Sequence, residues 1–176
     1  VHLRSPEVAK QLWCAAGRTL SPDVAPAFNR LLMRAGADVS NASDASKLVT
    51  KRDRPFVGDA DARTCDPRAT QATISYSYPS GHAALGVIWG EIAAEVVPGR
   101  ARELRALGAE FGDNRIICGV HYPSDIAAGR QMAAAMLRQM RANPAFRADV
   151  EAAKAEAAKA APLDCAQAAR SPDRSE

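Results

Sequence analysis

The spacing of apolar residues along the chain predicts helices nearly throughout. From Ser21-Pro22, a pair typical of a helix start, apolar side chains recur every three or four residues until Gly36. A second, more polar helix is expected over residues 38–51, and Arg54-Pro55 prevents it from continuing. The first third of the chain is therefore predicted to hold two helices.

Four further helices are predicted in the second half of the chain. Residues 83–97 are apolar on nearly every face, which is typical of a buried helix, and Pro98-Gly99 ends this stretch. Amphipathic patterns follow at 100–120, 123–143 and 146–161. The pattern thus predicts an all-α fold, a compact helical bundle.

Two segments lack a sustained period. Residues 56–78 are rich in Gly, Pro, Asp, Thr and Ser, which predicts a long loop, and long ordered loops are often functional. Residues 162–176 form a polar tail that is expected to fray unless Cys165 ties it down. No internal repeat or linker divides the chain, so residues 1–176 are expected to form one domain.

Composition supports helices and excludes several classes of protein. The 176 residues include 38 alanines, and aromatic residues make up 5%, which disfavours a β-sandwich or barrel. Charges are dispersed, with a net of +3, so a nucleic-acid partner is not expected. No apolar run approaches the roughly 18 residues of a membrane span, and no signal peptide is seen at Val1. We expect a soluble protein, processed or trimmed because it does not begin with Met.

Candidate chemistry is concentrated in three clusters. The first is Lys47, followed after six residues by Arg54-Pro55, and the second is Pro79-Ser80-Gly81-His82 at a helix start. Proline there leaves the next backbone N–H groups unpaired, glycine lets a ligand approach, and the positive end of the helix favours an anion. Each cluster alone is also compatible with an ordinary surface charge or a capped turn.

The third cluster is Arg115, His121 and Asp125. Pro123 interrupts any helix through His121, so the imidazole is expected at the mouth of the next helix. Asp125, in the first turn of that helix, can then reach one ring nitrogen and leave the other to present its lone pair. This arrangement can make a neutral histidine a directed nucleophile, although a structural hydrogen bond would use the same spacing.

Together the clusters resemble the tripartite signature of the type 2 phosphatidic acid phosphatase (PAP2) superfamily, which includes vanadium haloperoxidases. The closer likeness is to bacterial class A non-specific acid phosphatases, through 51–56, 77–82, 117–121 and 143–146. Asn114 departs from the serine frequent in the superfamily. The region before Lys47 is also short for a class A enzyme, so the N-terminal helices of the family fold are expected to be missing or reduced.

The resemblance implies an acid phosphatase that hydrolyses phosphomonoesters broadly, without a metal or other cofactor. It implies that His121 attacks phosphorus to give a phosphohistidine, with Asp125 supporting the ring and a charged His82 protonating the leaving group. Phosphate would be bound by a set of five groups, namely Lys47, Arg54, Arg115, the Ser80 hydroxyl and the Gly81 backbone N–H. An activity maximum on the acidic side of neutrality, with a bell-shaped pH profile, is expected.

The resemblance also carries expectations about environment and assembly. Class A enzymes are exported to the periplasm, and the four cysteines fit an oxidising compartment, although buried thiols remain an alternative. The pairing stays open, with Cys65–Cys118 and Cys14–Cys165 as one possible arrangement. Partners are expected to be phosphomonoesters, inorganic phosphate and a second copy of the chain.

Other interpretations use the same residues. A zinc-like set of Cys118, His121, Asp125 and His82 would leave the cationic residues unexplained. A vanadate-dependent haloperoxidase, a soluble lipid-phosphate phosphatase and a catalytically silent phosphate-binding module are the functional alternatives. For a ring-bearing substrate, the candidate stacking residues are Tyr76, Tyr78 and Trp89, although each is more often a residue that packs in the core or at the rim.

Overall fold

The computed structural model describes residues 6–59, 61–65 and 75–165. In these ranges six α-helices follow one another without a β-strand, which confirms the predicted all-α helical bundle. They are α1 (Pro6–Ala16), α2 (Pro26–Thr50), α3 (Gly81–Val96), α4 (Ala101–Ile117), α5 (Pro123–Ala142) and α6 (Pro144–Lys159), with a single 3-10 turn at Pro98–Arg100. Residues 66–74 of the predicted loop and 166–176 of the predicted tail lie outside the described residues.

Helix α3 forms the centre of the bundle and packs against α2, α4, α5 and α6. Most of its side chains are buried, Ile88 and Ile92 completely, as expected for a helix that is apolar on all faces. Two glycines let α4 approach it closely, because a Cβ on Gly86 would overlap the carbonyl of Gly108. This packing fixes the N-terminus of α3 relative to the end of α4.

Residues 26–50 form one continuous helix, so the prediction of two helices separated near Gly36 was wrong. A Cβ on Gly36 would lie 3.1 Å from both Leu85 Cδ1 and Trp89 Nε1, so the glycine serves contact with α3 rather than helix termination. The helix also starts later than predicted, because residues 21–24 form a turn. Its first turn donates from Ala27 N and Phe28 N to the Glu156 carboxylate on α6, at 2.9 and 3.0 Å.

Helix α1 was not predicted, although its signals are present. Proline stands at its first position, and Gly17, with φ of 65°, ends it in the left-handed conformation that favours glycine. A disulfide joins Cys14 to Cys165, and Leu163 N donates to Gly17 O at 2.9 Å. The two ends of the described chain are therefore tied to each other.

The other helices lie close to their predicted ranges. Asn143 caps α6 by accepting a hydrogen bond from Ala145 N at 2.9 Å, and Pro144 occupies the first helical position. Among the described residues, no helix combines the length and apolar character that crossing a bilayer requires.

Candidate active site

The N-terminus of α3 and the start of α5 meet at the site. Ser80 N donates to Asp125 O at 3.0 Å, which joins the second sequence cluster to the third. A Cβ on Gly129, one turn further along α5, would overlap the carbonyl oxygen of Ser80. Glycine at this position therefore allows the two helices to come close enough for their functional residues to share one site.

His121 is held by Asp125 at the mouth of α5. Pro123 starts the helix, Asp125 lies in its first turn, and His121 Nδ1 is 3.2 Å from Asp125 Oδ2. His121 is 3% exposed and Asp125 is fully buried. The Asp125 carboxylate also accepts from Tyr122 N at 2.9 Å. The hydrogen bond to Nδ1 leaves Nε2 as the nitrogen that can present a lone pair.

Two residues absent from the sequence-based site complete the surroundings of Asp125. Ser77 Oγ lies 2.5 Å from Asp125 Oδ2, and Arg52 Nη1 lies 2.9 Å from Oδ1. Burial acts to raise the pKa of Asp125, but hydrogen bonds from Ser77, Tyr122 N and His121, together with the Arg52 charge, lower it overall. The carboxylate is therefore ionised despite its burial.

Arg54 lies beside the outer nitrogen of His121. Its Nη1 is 3.4 Å from Nε2, and backbone carbonyls hold the guanidinium, with Nε donating to Ser75 O at 2.7 Å and Nη1 to Val120 O at 2.9 Å. Burial and the Arg54 charge lower the pKa of His121 to about 4, against the opposing hydrogen bond to Asp125. The imidazole is thus neutral over most of the acidic range.

Lys47 reaches the same region from the last turn of α2. It is 6% exposed, and its Nζ lies 3.3 Å from Ser75 Oγ. Burial, followed by the charge of Arg54, lowers its pKa to about 8. Lys47 is therefore charged at neutral pH but loses its proton under mildly alkaline conditions.

His82 is the second residue of α3, and Arg115 lies in the last turn of α4. Burial lowers the pKa of His82 well below its ordinary value, and the charges of Arg115, His121 and Lys47 lower it further. Because such interactions weaken with distance, they locate His82 near these three groups. These effects favour the neutral form of His82.

Ser80 and Gly81 form the helix start. Ser80 is fully buried, and its Oγ accepts from Ala83 N at 3.3 Å as the N-cap of α3. This bond uses the oxygen as acceptor and leaves the hydroxyl proton available to a ligand. The first amides of a helix also point out of its N-terminus, where they favour an anion.

Two sequence-based alternatives need correction. Cys118 is bonded to Cys65, so it is not a thiolate ligand in the proposed zinc-like set. Trp89 is 4% exposed, donates to Leu32 O and contacts Phe111 edge to face, so it belongs to the core rather than to a stacking surface. Both disulfides match the arrangement considered from the sequence.

The site combines four cationic side chains, two histidines and a helix N-terminus, a set suited to a multiply charged oxyanion. The sequence matches the family model of the PAP2 superfamily over residues 29–147, and the chain belongs to this superfamily. It is 35% identical to an acid phosphatase of Zymomonas mobilis over 91% of this chain and 60% of that protein. It is 37% identical to a non-specific acid phosphatase of Salmonella typhimurium over 74% of this chain and 52% of that protein.

A third relative gives the same result. The chain is 31% identical to a non-specific acid phosphatase of Providencia stuartii over 82% of its own length and 59% of that protein. The chain thus spans between about half and three fifths of the length of these curated relatives.

Proposed function

We propose that the protein is an acid phosphatase that hydrolyses phosphomonoesters through a phosphohistidine on His121, without a metal. The observation that carries the proposal is a neutral, buried His121 held at Nδ1 by Asp125, with Arg54 beside Nε2. The names of its relatives support the activity. The positive charges around the site can neutralise phosphate oxygens directly.

The first step is substrate binding. Lys47, Arg54 and Arg115 surround the phosphoryl oxygens, and the Ser80 hydroxyl and Gly81 N–H donate from the start of α3. Arginine suits this role because its forked donors match phosphate geometry. The low local dielectric of these largely buried groups strengthens each interaction.

The second step transfers the phosphoryl group. Nε2 of His121 attacks phosphorus while the bond between phosphorus and the leaving oxygen breaks. His82 gives a proton to that oxygen. Because His82 is neutral before substrate binds, this proton enters with the monoanionic phosphomonoester, whose charge also raises the pKa of His82.

The third step releases phosphate. His82, now neutral, takes a proton from water, and the water oxygen attacks phosphorus as the bond to Nε2 breaks. His121 returns to its neutral form, with Asp125 holding Nδ1 throughout. Inorganic phosphate takes the proton from His82 and leaves the site as the monoanion, which returns His82 to its neutral form.

The depressed pKa of His121 explains why such an enzyme works in acid. An ordinary histidine, with a pKa of 6.5, is mostly protonated at pH 5 and cannot attack phosphorus. A pKa of about 4 keeps His121 neutral there. The dianion of a phosphomonoester takes up one proton near pH 6, so the monoanion and the neutral nucleophile coexist between about pH 4 and 6.

The proposal extends to the expectations that rest on the family resemblance. Residues 1–176 act as one phosphatase domain, with broad specificity for phosphomonoesters, in an exported periplasmic protein that forms a homodimer. The two disulfides support the location, because such bonds persist in oxidising compartments.

The test is hydrolysis of p-nitrophenyl phosphate between pH 4 and 9, after prolonged EDTA treatment. Wild-type protein should turn over with a maximum below pH 7, and His121→Ala should lose at least a thousandfold in kcat. Ser46→Ala is the matched control, because this hydroxyl bonds only to Ala42 O of its own helix among the described residues. Activity that EDTA abolishes, or unchanged activity of His121→Ala, would overturn the mechanism.

A further inference from the structure

We infer that Ser77 is a positioning residue that fixes the reactive tautomer of His121; this inference rests on the proposed function. Ser77 lies in the segment before α3, outside the three sequence clusters, and is fully buried. Its Oγ is 2.5 Å from Asp125 Oδ2 and 3.2 Å from His121 Nδ1. The hydroxyl therefore bridges the two residues that the mechanism uses.

The direction of these hydrogen bonds follows from the chemistry of the groups. An ionised carboxylate only accepts, so Ser77 gives its proton to Asp125. The lone pairs of Ser77 Oγ then face His121 Nδ1, which must carry a hydrogen in order to be a partner. Nδ1–H is accordingly shared between two acceptors, Ser77 Oγ and Asp125 Oδ2, both at 3.2 Å.

The opposite tautomer is disfavoured at both nitrogens. A lone pair on Nδ1 would face the lone pairs of Ser77 and the negative charge of Asp125. A hydrogen on Nε2 would face the Arg54 guanidinium, 3.4 Å away. Ser77 thus adds to the preference for a lone pair on Nε2, the atom that attacks phosphorus.

The main chain holds Ser77 in place from the end of α2. Ser77 N donates to Arg52 O at 2.8 Å, and Thr50 Oγ1 donates to Tyr78 O at 2.7 Å. The Arg52 side chain returns to the same cluster and bonds Asp125 Oδ1. The hydroxyl is therefore preorganised, as a group that orients a catalytic histidine must be.

A serine needed only for folding would change the fraction of active protein, and its removal would leave the pH profile of kcat where it is in wild type. The proton that Ser77 donates draws charge from the carboxylate and weakens its pull on the imidazole. Without that bond, Asp125 interacts more strongly with protonated His121. The acid side of the kcat profile should then move to higher pH.

The experiment compares wild type with Ser77→Ala, Ser77→Thr, His121→Ala and the control Ser46→Ala, using p-nitrophenyl phosphate from pH 3.5 to 8. Ser77→Ala should lower kcat by roughly 10- to 100-fold, by analogy with the loss of a hydrogen-bond partner that orients a metal-binding histidine. Its KM and its inhibition by inorganic phosphate should stay within about threefold of wild type, because the phosphate-binding residues are intact. Ser77→Thr, which keeps the hydroxyl, should recover most of the rate.

The outcomes distinguish the inference from the proposed function. If wild type is inactive or His121→Ala is as active as wild type, the proposed function fails. If wild type is active, His121→Ala is inactive and Ser77→Ala matches wild type in kcat and pH profile, only the inference fails. A parallel loss of kcat and phosphate inhibition in Ser77→Ala would also overturn it. Should Ser77→Ala not fold, Ser77→Cys keeps the volume with a much weaker hydrogen-bonding group, and the same criteria apply.

Discussion

Nη1 of Arg54 lies 3.4 Å from Nε2 of His121, so a fixed positive charge stands next to the nitrogen that the mechanism uses as nucleophile. This charge disfavours the imidazolium and, after burial, is the largest cause of the low pKa of His121. The same guanidinium can bind a phosphate oxygen. Arg54 therefore connects the binding of the anion to the reactivity of the histidine.

The low pKa of His121 predicts a loss of stability in acid. The folded pKa is about 4 and the ordinary value is 6.5, so the unfolded chain binds the extra proton as the pH falls between these values. The contribution of His121 to the free energy of unfolding is fully present above about pH 6.5. It declines toward pH 4, by about 3 kcal/mol in all. His121→Asn should remove this part of the decline in urea denaturation at pH 6.5 and pH 4.5. Equal declines in both proteins would show that His121 has no such depressed pKa.

The low pKa of Lys47 predicts that phosphate affinity falls as the pH rises above neutrality. Its pKa of about 8 means that the ammonium is lost between pH 7 and 9, whereas an arginine stays charged. Inhibition by inorganic phosphate should weaken about tenfold more for wild type than for Lys47→Arg over this range. Lys47→Met should bind phosphate weakly at every pH. If Lys47→Arg weakens as steeply as wild type, Lys47 is not the titrating group.

Arg52 is predicted to stabilise the fold through Asp125. Its contact reaches a fully buried carboxylate, and its guanidinium stacks 4.2 Å from the Tyr122 ring centroid. Arg52→Met should lower the free energy of unfolding by about 1–3 kcal/mol. It should also move the acid side of the kcat profile to higher pH.

The control for Arg52 is Arg34→Met. Arg34 meets Asp149 at the same 2.9 Å, but both side chains are exposed, at 72% and 41%. Such a pair contributes between about 0 and 1 kcal/mol. Equal effects of the two substitutions in urea denaturation would show that the burial of Asp125 does not matter.

Gly129 is predicted to be necessary for assembling the site. An added Cβ would overlap Ser80 O and lie 3.2 Å from Ala83 Cβ, so Gly129→Ala must push α5 away from α3. We expect a loss of about 1–3 kcal/mol of stability and more than tenfold in kcat, because the Ser80–Asp125 contact is displaced. Gly99→Ala is the control, since nothing lies within 4 Å of its added Cβ, and it should behave like wild type. A fully active Gly129→Ala would show that this close approach is not required.

The helices around the site were predictable because proline and glycine mark their ends. Pro123 and Pro144 start α5 and α6, and Pro98 follows α3, so local rules and tertiary structure agree there. Gly36 shows the limit of these rules. Its role is contact with Leu85 and Trp89, which are distant in sequence, and no local pattern distinguishes that role from a helix end.

In the candidate site, too, contacts between residues close in sequence were predictable and contacts between distant residues were not. Asp125 could be paired with His121 because the two are four positions apart and Pro123, between them, starts the helix that carries Asp125. Ser77 and Arg52 approach Asp125 from segments 48 and 73 residues away, without any periodic pattern. Their contacts with Asp125 depend on the folded chain, and so does the low pKa of His82.

The most direct test of the account is to trap the phosphoryl group on the protein. A phosphomonoester labelled in its phosphate is mixed with the enzyme at pH 5, quenched within milliseconds in alkali, and the digested peptides are mapped. We expect label bound through nitrogen, stable in alkali and lost in acid, on the peptide that contains His121, and none in His121→Ala. Label on His82 or on a hydroxyl group, or rapid turnover by His121→Ala, would contradict it.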